Sequence, residues 1–318
     1  MSVYQEPDGF IRASIESILR QSMCDFEFII IQDDPLNKEV ASLLSEYAGE
    51  DKRIKCLRNK KNLGLALSLN SGLQKAQGKY IARMDADDIS LPERLQKQLS
   101  FLEKNPEISL VGSSVFVIDG GGKTLHHLTN PDDSKSLKMS FLRGATPCFH
   151  PTWFFRKKLV NILGGYRNLP VGQDYDFLAR LIASGFKISN LNDPLVGYRD
   201  HPDRIRYKKH ILQIRFGEYI RRGLEKNLIC NKSYLNEEVI NSKLRVPPCL
   251  NILHRLSQRL SRKGRYFKRK NRLVFAGLLL WSGLVSPFQM YCIINEVRRH
   301  FKYKSKNQCD GVSHVPWR

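Results

Sequence analysis

Three short strand-like runs, at residues 26–31, 54–57 and 80–84, each follow a segment whose apolar residues recur at helical spacing. Ile11, Ile15, Ile18 and Leu19 precede the first, Val40, Leu43, Leu44 and Tyr47 the second, and residues 65–77 the third. Few architectures accommodate that alternation. Parallel strands need a crossover helix between them, so the pattern predicts an α/β fold with a Rossmann-like, mostly parallel sheet flanked by helices. Gly78 reads as the residue that closes the third helix. A longer strand is expected at 108–118, turning at Gly120, Gly121 and Gly122. In such sheets ligands bind beyond the carboxyl ends of the strands, where Asp33 and Asp85, Asp87 and Asp88 fall. Neither a Gly-x-Gly-x-x-Gly nor a Walker sequence follows these runs, which argues against dinucleotide and P-loop folds.

The stretch 80–94 (YIARMDADDISLPER) carries the chemistry. Three carboxylates at the end of a strand repel one another. A hard divalent cation, Mg²⁺ or Mn²⁺, bridging a diphosphate would resolve that repulsion. Ser90 and Glu93 also have the spacing of a capping box ahead of Leu95, Leu99 and Leu102. Capping leaves Asp85 and Asp87 unexplained, so the segment predicts a metal-assisted transferase acting on a nucleotide-activated donor.

Charge is placed unevenly over the 318 residues. Residues 1–200 hold 26 Lys and Arg against 24 Asp and Glu, whereas 201–318 hold 26 against 7. The first part reads as an ordinary soluble domain and the second as a region that seeks an anionic surface. The seven cysteines are widely spaced without a Cys-x-x-Cys, which favours a reducing compartment over disulfides or zinc. The polar opening up to Gln5 lacks a signal-peptide pattern.

Nine basic residues between Arg255 and Arg272 precede an uncharged run of 22 residues at 273–294, and Arg298, Arg299, Lys302, Lys304 and Lys306 follow it. Length alone suits a transmembrane helix. Basic clusters on both sides, and Pro287 and Gln289 within, favour an interfacial or re-entrant pair of helices gripping acidic head groups. A true span and a buried core helix are the other readings.

In its motifs the chain resembles family 2 glycosyltransferases with the GT-A fold, most closely bacterial enzymes that build O-antigen and exopolysaccharide repeat units. The matching segments are residues 2–4, 13–21 (ASIESILRQ), 28–33 (FIIIQD), 62–64 with Asn70, and 80–94. Further on they are 150–151 (HP), 164–166 (GGY), 173–176 (QDYD) and 198–201 (YRDH). The resemblance implies a glycosyltransferase domain at 1–205, its nucleotide-sugar half at 1–118 and its acceptor half at 119–205, with a basic helical, membrane-associating tail at 206–318.

The same resemblance assigns roles. Val3, Tyr4, Asp33, Gly64 and Asp85 would hold the nucleotide of a UDP-sugar. Asp87, with Asp85 and His201, would bind Mn²⁺ or Mg²⁺. Asp174 would be the general base of an inverting transfer, with Asp176 the alternative. His150, Asp176 and Arg199 are expected on the acceptor side, the pair Arg199 and His201 lying against the diphosphate or metal. Gln173 stands where the family commonly has glutamate, and Asp34 where it commonly has glycine.

The implied reaction moves a hexose, UDP-galactose being the preferred donor, to a sugar on undecaprenyl diphosphate at the cytoplasmic face of the bacterial inner membrane. Transfer to a polyprenyl monophosphate, and an impaired or non-enzymatic relative that binds anionic surfaces, are the alternatives. A nucleic-acid partner is not expected: it would explain the charge of 201–318 but not the adjoining apolar run.

Overall fold

A computed structural model describes residues 1–201, 209–231, 234–236 and 239. The chain divides into two compact units, residues 1–202 with 216–236, and residues 203–215 with 237–318. The first unit thus takes in part of the expected tail. The stretches at 255–272 and 273–294 lie outside the described residues. No helix among the described residues is long and apolar enough to cross a membrane.

The alternation seen in the sequence forms β1 (Ser2–Val3), α1 (Asp8–Leu19), β2 (Phe28–Gln32), α2 (Lys38–Glu50), β3 (Ile54–Arg58) and α3 (Leu65–Lys75). The three strands make a wholly parallel sheet in the order β1-β2-β3, with Val3 opposite Gln32 and Phe28 opposite Ile54. Ile11, Ile15 and Ile18 of α1, and Val40, Leu43 and Leu44 of α2, share a core with Val3 and Ile30. Each such side chain removed from water contributes roughly 1.5–3 kcal/mol. At the start of α2 the Asn37 side chain accepts the Val40 N–H at 3.0 Å, satisfying one of the helix's orphan donors.

Downstream come β4 (Tyr80–Ala82), β5 (Ile89–Ser90), α4 (Arg94–Lys104), β6 (Ile108–Ile118), β7 (Thr124–Leu128) and α5 (Ser134–Leu142). A 3₁₀ turn (His150–Thr152), β8 (Phe154–Arg156), α6 (Lys158–Leu163), α7 (Gln173–Ala183), β9 (Lys187–Arg199) and a helix at His210–Glu225 follow. The second sheet runs β4-β8-β6-β9-β5, with β7 beside β6. Here the mostly parallel expectation fails. Only β6 and β9 pair in parallel, and the other four pairings are antiparallel. Beyond residue 108 the helix-between-strands rhythm stops, and the turn at Gly122, with φ of 87°, sends β7 straight back along β6.

Two local expectations also change. Gly78 does not close α3, which ends at Lys75 with Ala76 as its cap. Ser90 is no N-cap: it lies in β5 opposite Val196, and α4 starts only at Arg94. The Leu95 N–H at that helix start is accepted instead by the Gln21 side chain at 3.0 Å.

Candidate active site

The acidic loop between β4 and β5 is built by its neighbours. Ser14, Ser17 and Gln21 put a buried polar stripe along an otherwise apolar face. Ser14 Oγ donates to the Asp85 carbonyl at 3.0 Å, Ser17 Oγ accepts the Ser90 N–H at 2.9 Å, and Gln21 Nε2 donates to the Leu91 carbonyl at 2.7 Å. Buried polar groups are tolerated only when satisfied. These three are satisfied by the backbone they hold in place.

One carboxylate oxygen from each of Asp85, Asp87 and Asp88 falls within a 4.8 Å cluster. His201 adds a fourth donor, its Nε2 lying 2.9 Å from Asp87 Oδ2. Cis ligands of an octahedral ion with bonds of about 2.1 Å sit about 3 Å apart, so this pair fits two positions on Mn²⁺ or Mg²⁺. Oxygen with a single imidazole is also a donor set that suits Mn²⁺.

Repulsion among the carboxylates is offset in part, because a guanidinium engages one of them and a backbone N–H another. Arg83 pairs with Asp85, and Arg199 donates its backbone N–H to Asp88 Oδ1 at 2.8 Å. Arg94, fully buried, donates to the Arg83 carbonyl at 2.5 Å.

Arg199 itself is not open to an acceptor or a phosphate. It is 3% exposed and donates to the carbonyls of Asp87, Asp119 and Gly120, with its guanidinium 4.3 Å from the Phe10 ring centroid. It fastens the end of β9 to the acidic loop. His201 is aimed at Asp87 as a result.

Around the expected nucleotide end, Val3 is buried in β1 and Tyr4 is exposed. Both Asp33 oxygens are engaged by the segment after β3. Oδ1 accepts Asn59 Nδ2 at 2.7 Å and the Leu63 N–H at 2.8 Å, and Oδ2 accepts the Gly64 N–H at 2.9 Å. Gly64, with φ of 81°, opens α3, a left-handed conformation that favours glycine. Asp33 therefore shapes the segment from Asn59 to Gly64, largely through that segment's backbone.

Asp174 and Asp176 share the first turn of α7 but have opposite settings. Asp176 is fully buried between Arg167 Nη1 at 3.0 Å and Arg180 Nε at 2.8 Å. That clamp leaves it no part in acceptor binding or proton transfer. Asp174 is half-buried and, among the described residues, makes no ion pair. Burial pushes its carboxyl above the ordinary value, against the pull of the Tyr175 N–H, and the charge of Asp85 pushes the same way. Asp174 thus feels the acidic loop across the site.

His150 is buried in the 3₁₀ turn, with Nε2 2.9 Å from the Tyr166 hydroxyl and its ring edge-on to Trp153. Burial, helped by Arg83, holds the imidazole well below its ordinary pKa, so it is neutral.

Two participants escaped the sequence reading. Arg83 precedes the acidic triplet and acts on His150, Tyr166 and Asp174 together. Glu6 has its carboxyl raised by burial and by the charges of Asp87 and Asp85. A charged residue inside a strand-like run was the available signal for Arg83. Nothing in the sequence marked Glu6.

Residues 1–163 match the family described as Glycosyl transferase family 2. An uncharacterised glycosyltransferase of Methanocaldococcus jannaschii is 38% identical over 221 residues, which is 69% of this chain and 75% of that protein. The UDP-Gal:alpha-D-GlcNAc-diphosphoundecaprenol beta-1,3-galactosyltransferase of Escherichia coli is 29% identical over 202 residues, 63% of this chain and 72% of that protein. Other relatives are named for amylovoran and O-antigen biosynthesis. Among solved structures, S. aureus TarS 1-349 in complex with UDP-GlcNAc superposes with a TM-score of 0.54 at 14% identity, covering 82% of this chain and 80% of that one. Fold and acidic loop together define an α/β transferase of the GT-A type. The chain belongs to glycosyl transferase family 2 and is a glycosyltransferase.

Proposed function

We propose that this glycosyltransferase moves a hexose from a UDP-sugar, with inversion, to a sugar carried on a polyprenyl diphosphate in O-antigen or exopolysaccharide assembly. The feature that supports the reading is Asp174: a half-buried carboxyl that makes no ion pair among the described residues, with burial and the charge of Asp85 both raising its value. A general base needs a pKa close to the working pH and hydrogen-bond access to the proton it removes.

In the proposed step Asp174 takes the proton of the acceptor hydroxyl as that oxygen forms a bond to the anomeric carbon. The bond from that carbon to the diphosphate oxygen breaks, and its electron pair leaves with UDP. Asp87, Asp85 and His201 would hold Mn²⁺ or Mg²⁺. When bound, the ion neutralises charge on the departing diphosphate as a Lewis acid. Asp33 keeps the 62–64 loop shaped for the nucleotide, and Arg199 keeps His201 facing Asp87.

Galactose as the sugar and a lipid-linked GlcNAc as the acceptor are supported by the name of the Escherichia coli relative. UDP as the carrier is supported also by the ligand of the TarS structure. The net charge of +19 in 201–318, beside an uncharged run of 22 residues, supports attachment to the cytoplasmic face of a membrane. Loss of sedimentation with anionic vesicles on deleting 245–318 is the expected result; unchanged sedimentation removes that part of the proposal.

The test is a panel of UDP-sugars with a synthetic GlcNAc-diphosphate-lipid, comparing wild type with Asp174→Asn. The variant should lose ~10²–10⁴ in turnover while binding UDP as wild type does. Transfer to a polyprenyl monophosphate by both proteins at equal rates would overturn the assignment of base and acceptor.

A further inference from the structure

We infer that Asn70 is a positioning residue that joins the nucleotide loop to the acceptor side through Tyr166, an inference that rests on the transfer reading above. Asn70 lies on α3, whose first residue follows Gly64, itself held by Asp33. Its carboxamide pairs with both backbone groups of a residue 96 positions away. Oδ1 accepts the Tyr166 N–H at 2.8 Å, and Nδ2 donates to the Tyr166 carbonyl at 2.7 Å. A side-chain amide thus completes a backbone-like pair for a loop residue that has no strand partner.

The loop is shaped for this contact. Gly164 and Gly165 have φ of 75° and 73°, and a Cβ on Gly165 would meet Asn70 Oδ1 at 2.6 Å. Any other residue there would lose both the turn and the approach. Arg180 Nη2 donates to the Gly165 carbonyl at 2.9 Å, and Arg180 is in turn held by Asp176. The Asp176 clamp therefore acts on this turn.

Tyr166 passes the constraint onward. It is 4% exposed, its hydroxyl meets His150 Nε2 at 2.9 Å, and its ring centroid lies 5.2 Å from that of Phe177 on α7. Asp174 sits one turn before Phe177 on the same helix. Asp33 holds Gly64 at the start of α3, Asn70 on the same helix holds Tyr166, and Tyr166 meets both His150 and Phe177 on the helix of the base. Misplacing reacting groups by about 1 Å costs on the order of 10²-fold in rate, so this strut has kinetic consequences without touching substrate.

The experiment compares full-length wild type, Asn70→Ala, the isosteric Asn70→Asp, Tyr166→Phe and the Asn70→Ala/Tyr166→Phe double variant. Transfer is followed from UDP-galactose to the synthetic GlcNAc-diphosphate-lipid, and UDP affinity by calorimetry. Asn70→Ala should lower kcat/KM for the acceptor by ~10-fold or more with UDP affinity within about twofold, and adding Tyr166→Phe should cost little more because both act on one path. Hydrogen–deuterium exchange without substrate should rise in 147–153 and 164–178 and stay unchanged in 62–66. Parallel losses of UDP affinity and transfer, additive single effects, or wild-type exchange at 164–178 overturn the inference. If wild type transfers nothing between these substrates, the donor and acceptor assignment fails, and exchange alone decides the role of Asn70. Should Asn70→Ala not fold, Asn70→Asp and Tyr166→Phe carry the same comparison.

Discussion

His201 Nε2 and Asp87 Oδ2 stand 2.9 Å apart although 114 residues separate them in the chain. The contact exists because Arg199, two residues earlier, is fixed to the Asp87 carbonyl at 2.8 Å. Replacing Arg199 by Lys removes the planar fork that reaches three carbonyls. Arg199→Lys should raise the Mn²⁺ concentration giving half-maximal activity by ~10-fold or more, the size of loss that follows when the support of a metal ligand is removed. A metal titration of wild type and variant checks this, and unchanged half-saturation would contradict it.

Asp176 is a structural carboxylate. Asp176→Asn leaves the buried Arg180 and the half-buried Arg167 without their counter-charge, and breaking a buried pair such as Asp176–Arg180 costs about 3–5 kcal/mol. Urea unfolding should show a lower midpoint with unchanged slope.

Asp174 predicts the opposite effect on stability. Its folded pKa is raised, so the protonated form is favoured by folding and ionisation works against the native state. That stabilisation is complete below the unfolded carboxyl value and is lost as pH rises through the folded one. Asp174→Asn, which cannot ionise, should therefore melt above wild type at neutral pH, with the gap closing as pH falls toward the ordinary carboxyl range. In wild type the acid limb of kcat/KM should lie above that range. A limb at or below it, or a variant less stable at every pH, would contradict the assignment.

His150 gives a second pH signature. Its folded pKa is depressed, so the unfolded chain binds a proton that the native state refuses. Stability should fall as pH drops below the ordinary histidine value, and His150→Gln should flatten that slope. Melting temperatures of both proteins over the same pH series are the measurement.

The first sheet was legible because β1, β2 and β3 obey one simple rule, an apolar strand and then a helix of period 3.6. The acidic loop was legible because three carboxylates at a strand end have few purely structural uses. The second sheet was not, since β9 carries Asn190, Asn192, Asp193 and Pro194 within its 13 residues, a composition poor in strand formers. Its pairing with β6 overrides that local preference. Ser90 misled because a capping box and a buried serine in a two-residue strand have the same local spacing; contacts distant in the chain, with Ser17, Gln21 and Val196, distinguish them. Arg199 and Asp176 read as ligand-binding for a similar reason. Charge next to a motif suggests chemistry, but both groups are spent on tying loops and helices together, which only tertiary contacts reveal.

The proposed transfer depends most on a divalent ion held by Asp87 with Asp85 and His201, and the direct test is calorimetric titration of UDP into the full-length protein. With Mn²⁺ present, wild type should bind UDP at least ~10-fold more tightly than in excess chelator, and Asp87→Ala should show the weak affinity in both conditions. UDP binding by wild type that chelator leaves unchanged, or full Mn²⁺-dependent affinity in Asp87→Ala, would contradict it.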